Sequence, residues 1–168
     1  GSWDAHIEFI EQDAPRGLAH AVQIAEPFLG DEPFIMYLGD NLLKSGSADF
    51  IRDFSESGAD ASLLLTEVRD PTQYGVALVD EQKKVIVQLV EKPRVPPSNL
   101  SIVGIYGLTP AIFEAIRHIK PSWRGELEIT DAIQHLAAKM GPATAWVTTG
   151  FWQDVGRPSS LLAANRLL

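Results

Sequence analysis

The sequence predicts an α/β protein with three layers, α/β/α, in which helices cover a mostly parallel central sheet that carries one small antiparallel hairpin. Apolar segments of strand length alternate with amphipathic helical segments along the chain. The apolar run at residues 34–38 is typical of a fully buried strand of a parallel sheet. A polar turn at residues 80–84 separates two short apolar strands, residues 76–79 and 85–89, which predicts the hairpin.

The first half of the chain supports this order of elements. Residues 3–10 alternate apolar and polar side chains, as a half-buried strand does. Leu18 begins a segment with apolar residues at helical spacing, and residues 48–57 predict a longer helix. Because residues 61–68 form a second apolar strand, this part of the chain predicts a βαβ unit with a right-handed crossover.

The second half continues the alternation. Residues 102–108 predict a strand, and Pro110 begins a helix with an apolar face. Ile133 lies on the apolar stripe of the next helix. Residues 143–148 predict a further strand and residues 158–168 a last helix. We therefore expect one continuous domain.

Composition excludes several kinds of function. The chain has 168 residues and no cysteine, which rules out disulfides, thiol catalysis and cysteine metal sites. Its formal net charge of −8 disfavours nonspecific binding to nucleic acid or to an anionic membrane. No apolar run is long enough to span a membrane, and we expect a cytoplasmic protein.

Three acidic or basic positions are candidates for chemistry. Asp40 follows the buried strand, at the sheet edge where open α/β sheets hold ligands, and its carboxylate suits a hard cation such as Mg²⁺. Glu91 and Lys92 end another strand, where a lysine can bind a phosphate. Asp154 lies in a turn-rich segment. The alternatives are a strand-ending turn, a surface ion pair and a turn aspartate.

Six motifs occur in the order typical of sugar-1-phosphate nucleotidyltransferases, and in detail they most resemble the glucose-1-phosphate thymidylyltransferases of the longer form. The motifs are Leu38-Gly39-Asp40-Asn41, Tyr74-Gly75-Val76, Val90-Glu91-Lys92-Pro93, Val103-Gly104-Ile105-Tyr106, Arg-Gly-Glu-Leu-Glu-Ile-Thr-Asp at residues 124–131, and Trp152-Gln153-Asp154-Val155-Gly156. The resemblance covers nearly the whole chain. It implies the Rossmann-like nucleotidyltransferase fold.

The resemblance also implies a role for each matching position. Asp40 and Asp154 match the carboxylates that hold Mg²⁺, the implied cofactor. Lys92 matches the lysine on the sugar phosphate, and Arg124 matches an arginine that assists it. The remaining matches contact the substrates. For the sugar they are Gly75, Glu91, the backbone near Ile102, and Tyr106, and for the nucleobase they are Gln12 and Gly17.

The implied reaction is transfer of the nucleotidyl group of dTTP to glucose 1-phosphate, which gives dTDP-glucose and pyrophosphate. Positioning and charge neutralisation would supply most of the catalysis. Two other specificities stay open, guanylyl transfer to mannose 1-phosphate and uridylyl transfer to glucose 1-phosphate. A protein of another class, a non-catalytic sugar-phosphate-binding or assembly module, stays open as well.

One feature of the family has no match in this sequence, the leading strand with its glycine-rich Gly-x-Gly-Thr-Arg-Leu loop, which cradles the triphosphate. We therefore interpret residues 3–168 as a partial nucleotidyltransferase domain, truncated at its N-terminus, and residues 1–2 as the remnant of an expression tag. We expect this segment alone to be inactive. An uncovered sheet edge would favour a homo-oligomer or completion by a separate chain.

Overall fold

The computed structural model describes residues 5–156, 160, 164 and 165. Its helices are α1 (Leu18–Ile24), α2 (Glu26–Leu29), α3 (Ser47–Ser57), α4 (Ala111–His118) and α5 (Ile129–Lys139). Its strands are β1 (Phe34–Tyr37), β2 (Asn41–Leu43), β3 (Ala61–Glu67), β4 (Gly75–Asp80), β5 (Val85–Glu91), β6 (Leu100–Leu108), β7 (Ala143–Val147) and β8 (Trp152–Asp154). The predicted helix at residues 158–168 lies mostly outside the described residues. The predicted tag remnant, residues 1–2, lies wholly outside them.

Six strands form a mixed sheet in the order β1-β6-β3-β7-β5-β4. Strands β1, β3, β4 and β7 run in one direction, and β5 and β6 run in the other. The α/β class is confirmed. Four of the six strands run in the same direction, as the prediction of a mostly parallel sheet requires. Within the described residues, however, only one pair of neighbouring strands is parallel, β3 and β7. The reason is that β6 and β5 insert between strands that share a direction.

The apolar run at β1 is an edge strand of this sheet, so the prediction of a fully buried strand is wrong. Among the described residues β1 pairs with β6 only, and Tyr37 is 46% exposed. The sequence is apolar because both faces of β1 touch the core. Phe34 stacks on Phe113 at 5.9 Å between ring centroids, whereas Ile35 packs against the opposite face of the sheet.

The predicted strand at residues 3–10 is absent from its described part, residues 5–10. Ile7 is 67% exposed and Phe9 is 91% exposed. Alternation of apolar and polar residues is not sufficient for a strand, since a strand also needs a neighbour to accept its hydrogen bonds. The predicted hairpin is confirmed, because β4 and β5 pair antiparallel across the turn at residues 81–84.

Two apolar clusters, one on each face of the sheet, make the three layers. On one face α1, α4 and α5 pack against the larger cluster, for example through Ile112 and Ile133. On the other face Phe50 of α3 packs against Leu64 and Ile105. Strand alternation sends neighbouring side chains of β3 and β6 to opposite faces, which accounts for the apolar runs in both strands. No helix within the described part of the chain is long and apolar enough to cross a membrane.

Candidate active site

A second, two-stranded sheet joins residues that are far apart in sequence. Strands β2 and β8 pair antiparallel, with Asn41 opposite Asp154. The backbone N–H of Val155 donates to the carbonyl of Asp40 at 2.7 Å. This short sheet places the two candidate metal carboxylates side by side. The sequence predicted neither of these strands, because three-residue strands are too short to show a period.

The carboxylates of Asp40 and Asp154 converge on one point beside Gly156. A Cβ atom added to Gly156 would stand 2.9 Å from Oδ2 of Asp40 and 3.1 Å from Oδ1 of Asp154. Each carboxylate also accepts a hydrogen bond from a neutral group. Asn41 Nδ2 donates to Asp40 Oδ1 at 2.9 Å, and the Gly156 N–H donates to Asp154 Oδ1 at 2.8 Å.

This donor set fits Mg²⁺, which commonly takes one or two carboxylates and completes its octahedron with water and phosphate oxygens. No cluster of three or more histidine, aspartate or glutamate side chains suited to a metal occurs among the described residues. A metal held by Asp40 and Asp154 would take its other ligands from water or from a substrate phosphate. Binding of Mg²⁺ here stays a prediction.

Lys92 follows β5 in a conformation that is unusual for a residue with a side chain. Its φ of 41° lies in the left-handed region. Its N–H donates to the carbonyl of Tyr74 at 3.0 Å, which fixes the backbone there. Lys92 Nζ lies 3.9 Å from Glu91 Oε1. Such strained positions cost of order 1 kcal/mol or more and persist where the surroundings over-determine them, often in functional sites.

Arg124 is the centre of a cluster of acidic side chains. Its Nη2 atom donates to Glu126 at 2.9 Å and 3.0 Å. Its Nη1 atom lies 3.7 Å from Glu91 Oε1 and 3.6 Å from Glu128 Oε1. The hydroxyl of Ser122 donates to Glu128 at 2.7 Å. These contacts hold the guanidinium in place on the wall of the site.

Burial raises the pKa of Glu91 above its ordinary value of 4.5, and the nearby Glu128 carboxylate raises it further. Lys92, Arg124 and the hydroxyl of Thr130 act in the opposite direction. Burial, and then the charge of Glu91, raise the pKa of Tyr106 far above its usual range. The Tyr106 hydroxyl therefore stays protonated at neutral pH and is able to donate a hydrogen bond in the cleft that Tyr106 lines.

Gly75 begins β4 where the sheet meets this cluster. An added Cβ would stand 2.9 Å from Ile102, 3.0 Å from Thr130 and 3.1 Å from Glu91 Oε2. A larger residue would fill the space beside the Glu91 carboxylate. A side chain at this position would therefore push on Ile102, Thr130 or Glu91.

One cleft of about 200 Å³ gathers most of the predicted residues. Eight of the ten line it, namely Asp40, Gly75, Glu91, Lys92, Ile102, Tyr106, Arg124 and Asp154. Several other residues line the cleft without a role predicted from the sequence, and they include Asn41, Gln73, Tyr74, Glu126, Glu128 and Trp152. All of these except Gln73 belong to the motifs already quoted, so their motif membership was the available signal.

Gln12 and Gly17 do not line the cleft but lie at its border. Gln12 Nε2 donates to the Gly17 carbonyl at 3.2 Å and lies 2.9 Å from His20 Nδ1. The Leu127 N–H donates to the Arg16 carbonyl at 2.8 Å, which attaches this loop to the Arg124 segment. Leu18, the next residue, reaches the cleft wall. The structure thus places the predicted base-binding loop beside the predicted sugar-phosphate site.

The chain resembles nucleotidyltransferases along its whole length, and a family model described as nucleotidyl transferase matches residues 1–168. The chain is 51% identical over 161 residues to a glucose-1-phosphate thymidylyltransferase of Streptomyces antibioticus, covering 95% of this chain and 45% of that protein. It is 47% identical over 166 residues to the low-salt glycan biosynthesis nucleotidyltransferase Agl11 of Haloferax volcanii, covering 99% and 46%. The chain spans less than half the length of these two relatives.

The fold is also similar to that of a solved structure. The crystal structure of UDP-glucose pyrophosphorylase complexed with UDP-glucose matches 95% of this chain and 65% of that chain. The TM-score is 0.86 and the sequence identity is 30%. The likeness therefore extends over nearly all of the layers and strands described above.

Proposed function

Because this chain belongs to the nucleotidyl transferase family, we propose that its cleft joins a sugar 1-phosphate to a nucleoside triphosphate, with glucose 1-phosphate and dTTP as the substrates. The observation that carries this proposal is the single cleft in which a lysine, an arginine and two converging carboxylates meet. The lysine and the arginine suit phosphate groups, which both substrates of the reaction carry. The 51% identity to a glucose-1-phosphate thymidylyltransferase supports the choice of dTTP.

The reaction is an in-line displacement at phosphorus. An oxygen of the sugar phosphate attacks the α-phosphorus of dTTP, and a new phosphorus–oxygen bond forms. The bond from the α-phosphorus to the oxygen that bridges to the β-phosphate breaks, and that oxygen leaves with the electron pair as part of pyrophosphate. The other product is dTDP-glucose. Little covalent chemistry is left to the protein, so positioning and charge neutralisation carry the catalysis.

The basic residues orient the attacking phosphate. Lys92 supplies a point charge for the sugar phosphate, and its left-handed backbone directs it from the end of β5. Arg124, held by Glu126 and Glu128, is pre-positioned for the same anion. Because both cations already face acidic side chains, they can bind the phosphate without first being ordered.

The sugar lies between these cations and the floor of the cleft. Glu91 accepts hydrogen bonds from sugar hydroxyls, since one of its oxygens has only a 3.4 Å contact with Thr130. Gly75 and Ile102 line the cleft beside Glu91, where the ring would lie. Tyr106 lines the same cleft, and its protonated hydroxyl would donate a hydrogen bond to the sugar.

Asp40 and Asp154 would hold one Mg²⁺ between them and the triphosphate. When bound there, Mg²⁺ neutralises charge that develops on the phosphate oxygens. Gly156 keeps the space between the two carboxylates open, because any Cβ would enter it. Gln12 and Gly17 contact the base at the border of the cleft. The predicted cytoplasmic location and association with a second copy stay predictions.

A second specificity is favoured by one observation. The similar solved structure is a UDP-glucose pyrophosphorylase that binds UDP-glucose, so UTP is the alternative to dTTP. Thymine and uracil differ only by a methyl group, and a single methyl in a pocket discriminates weakly, ~10–200-fold. The two nucleotides must therefore be compared directly in one assay.

The test measures pyrophosphate release by the intact protein with Mg²⁺ and glucose 1-phosphate, in parallel with dTTP and UTP, and with mannose 1-phosphate and GTP. We expect the highest kcat/KM with dTTP. Lys92→Ala should lower that value ~10²-fold, as removal of one electrostatic group commonly does. Lys83→Ala, in the exposed hairpin turn, is the matched control. Binding of glucose 1-phosphate without pyrophosphate release from any triphosphate would instead indicate a non-catalytic binding module.

A further inference from the structure

Asn41 and Trp152 form a hydrogen-bonded relay that ends on the carboxylate of Asp40. Trp152 Nε1 lies 2.8 Å from Asn41 Oδ1, and Asn41 Nδ2 lies 2.9 Å from Asp40 Oδ1. Both tryptophan and asparagine line the cleft, but neither has a part in the proposed reaction. We propose that these two residues position Asp40, so that its second oxygen faces Asp154 and is free to bind a divalent cation. The inference rests on the proposed metal site.

The chemistry of the donors sets the direction of the relay. An indole N–H can only donate, so the amide atom that faces Trp152 is the oxygen of Asn41. The amide nitrogen then faces the opposite way, toward Asp40, where it donates to Oδ1. Tryptophan thereby holds the amide in the orientation that offers N–H, rather than C=O, to the carboxylate.

This arrangement leaves the two oxygens of Asp40 with different roles. Oδ1 is occupied by the Asn41 amide. Oδ2 is the oxygen that lies 2.9 Å from the Cβ position at Gly156, where Asp154 Oδ1 also converges at 3.1 Å. Rotation of the Asp40 carboxylate would break the amide hydrogen bond. The relay therefore holds the free oxygen toward the place where a shared cation would bind.

The relay is itself held on several sides. Trp152 lies two residues before Asp154 in β8 and packs edge-on against Tyr74, at 5.4 Å between ring centroids. Gly104 of β6 has a φ of 80°, and a Cβ there would stand 2.6 Å from Asn41 Nδ2. The absence of a side chain at Gly104 thus admits the Asn41 amide. Such close support is typical of residues that orient a ligand-binding group.

The test measures Mn²⁺ affinity by electron paramagnetic resonance on the intact protein, with Mn²⁺ in place of Mg²⁺. We expect Asn41→Ala to weaken Mn²⁺ binding ~10-fold, the lower range for loss of a group that supports a metal ligand. Trp152→Phe keeps the ring but removes the donor, and we expect a loss of ~5-fold, the size of one neutral hydrogen bond. In the Asn41→Ala background Trp152→Phe should have no further effect, because the two act in series.

Matched controls separate positioning from general damage. Asn99→Ala and Trp123→Phe make the same chemical changes at exposed positions, Trp123 being 89% exposed, and should leave Mn²⁺ affinity unchanged. Thermal unfolding of each variant identifies any loss of fold. A variant that is folded and yet binds Mn²⁺ less tightly supports the positioning role, which a purely structural contribution would not produce.

The outcomes distinguish the two proposals. If the wild type binds Mn²⁺, Asp40→Asn abolishes binding and Asn41→Ala leaves it unchanged, the relay is overturned while the metal site stands. Additive effects of Asn41→Ala and Trp152→Phe would also overturn the relay. If the wild type binds no Mn²⁺ even with dTTP present, or if Asp40→Asn does not weaken binding, the metal site is overturned and the relay with it.

Discussion

The two halves of the cleft are charged in different ways. The half around Arg124 contains its own counter-charges, since Glu91, Glu126 and Glu128 surround the arginine and Glu91 also pairs with Lys92. The half around Asp40 and Asp154 contains two carboxylates, and within residues 5–156 each is hydrogen-bonded only by neutral groups. One half is therefore ordered by internal ion pairs, and the other keeps a negative charge that a cation can neutralise.

This difference predicts that the Arg124 half is ordered before an anion binds, whereas the Asp40 half needs a cation to neutralise its charge. Internal ion pairs fix the arginine before any substrate arrives, which favours pre-organised binding of an anion. Two close carboxylates repel each other and are most stable when a cation lies between them. Substitutions in the Arg124 half should therefore affect the folded protein itself, whereas substitutions in the Asp40 half should affect metal dependence first.

The largest effect is expected for Asp154→Asn. Loss of one of the two carboxylates should lower kcat of the intact protein ~10²-fold or more, because charge stabilisation by a metal is worth several kcal/mol and each ~1.4 kcal/mol is tenfold in rate. The measurement is pyrophosphate release as a function of Mg²⁺ concentration. Asp53→Asn, at an exposed position of α3, is the control. Unchanged turnover and Mg²⁺ dependence would reduce Asp154 to a turn residue.

A pair of glycine substitutions compares the two halves directly. Gly75→Ala should lower the free energy of unfolding by about 1–3 kcal/mol, because the new methyl group overpacks against Ile102 and Thr130. Gly156→Ala meets carboxylate oxygens at the exposed edge of the cleft, where Asp40 can turn away at the cost of its hydrogen bond to Asn41. We therefore expect a smaller loss of stability than for Gly75→Ala, whose neighbours Ile102 and Thr130 are buried, but a clear loss of Mn²⁺ affinity. Urea unfolding and Mn²⁺ titration measure the two effects.

Gly39→Ala is the control for this pair, since an added Cβ there has no neighbour within 4 Å. The comparison of the two halves fails if Gly156→Ala destabilises the fold as much as Gly75→Ala does. It also fails if Gly156→Ala leaves Mn²⁺ affinity unchanged, because the space between the carboxylates would then not be the metal site.

The smallest effect is expected for Glu91→Gln. The pKa of Glu91 is raised above 4.5 in the folded state, so its contribution to stability is fully present below pH 4.5 and is lost as the pH rises through the raised pKa. Glutamine resembles the protonated acid and carries no charge. The variant should therefore match the wild type in free energy of unfolding near pH 4 and exceed it at pH 7, as measured by urea unfolding.

Glu56→Gln, at an exposed position of α3, is the control and should leave the pH dependence unchanged. A decrease in stability at pH 7 for Glu91→Gln would show that attraction to Lys92 and Arg124 outweighs the desolvation of Glu91. In that case the Glu91 carboxylate would stabilise the Arg124 half, because its ion pairs would contribute more than the burial of its charge costs.

Local periodicity was sufficient for the elements in which neighbouring residues decide the structure. The helix at residues 48–57 and the hairpin at residues 80–84 follow from apolar spacing and turn residues, and both are present with nearly the expected bounds. The strand predicted at residues 3–10 was wrong in its described part, and β1 is an edge strand rather than a buried one. Whether residues 3–10 form a strand, and whether β1 lies at an edge, depends on neighbouring strands that come from other parts of the chain.

For the candidate site, the sequence and the tertiary structure likewise decide different things. Sequence alone determined which residues are chemically suited, since Asp40, Lys92, Arg124 and Asp154 stand in motifs that match a family. Only the tertiary structure decided which of them meet, because the β2–β8 pairing brings Asn41 opposite Asp154 and joins Trp152 to an amide 111 residues away. Hydrogen bonds and packing over such separations depend on the path of the whole chain, which no local pattern records.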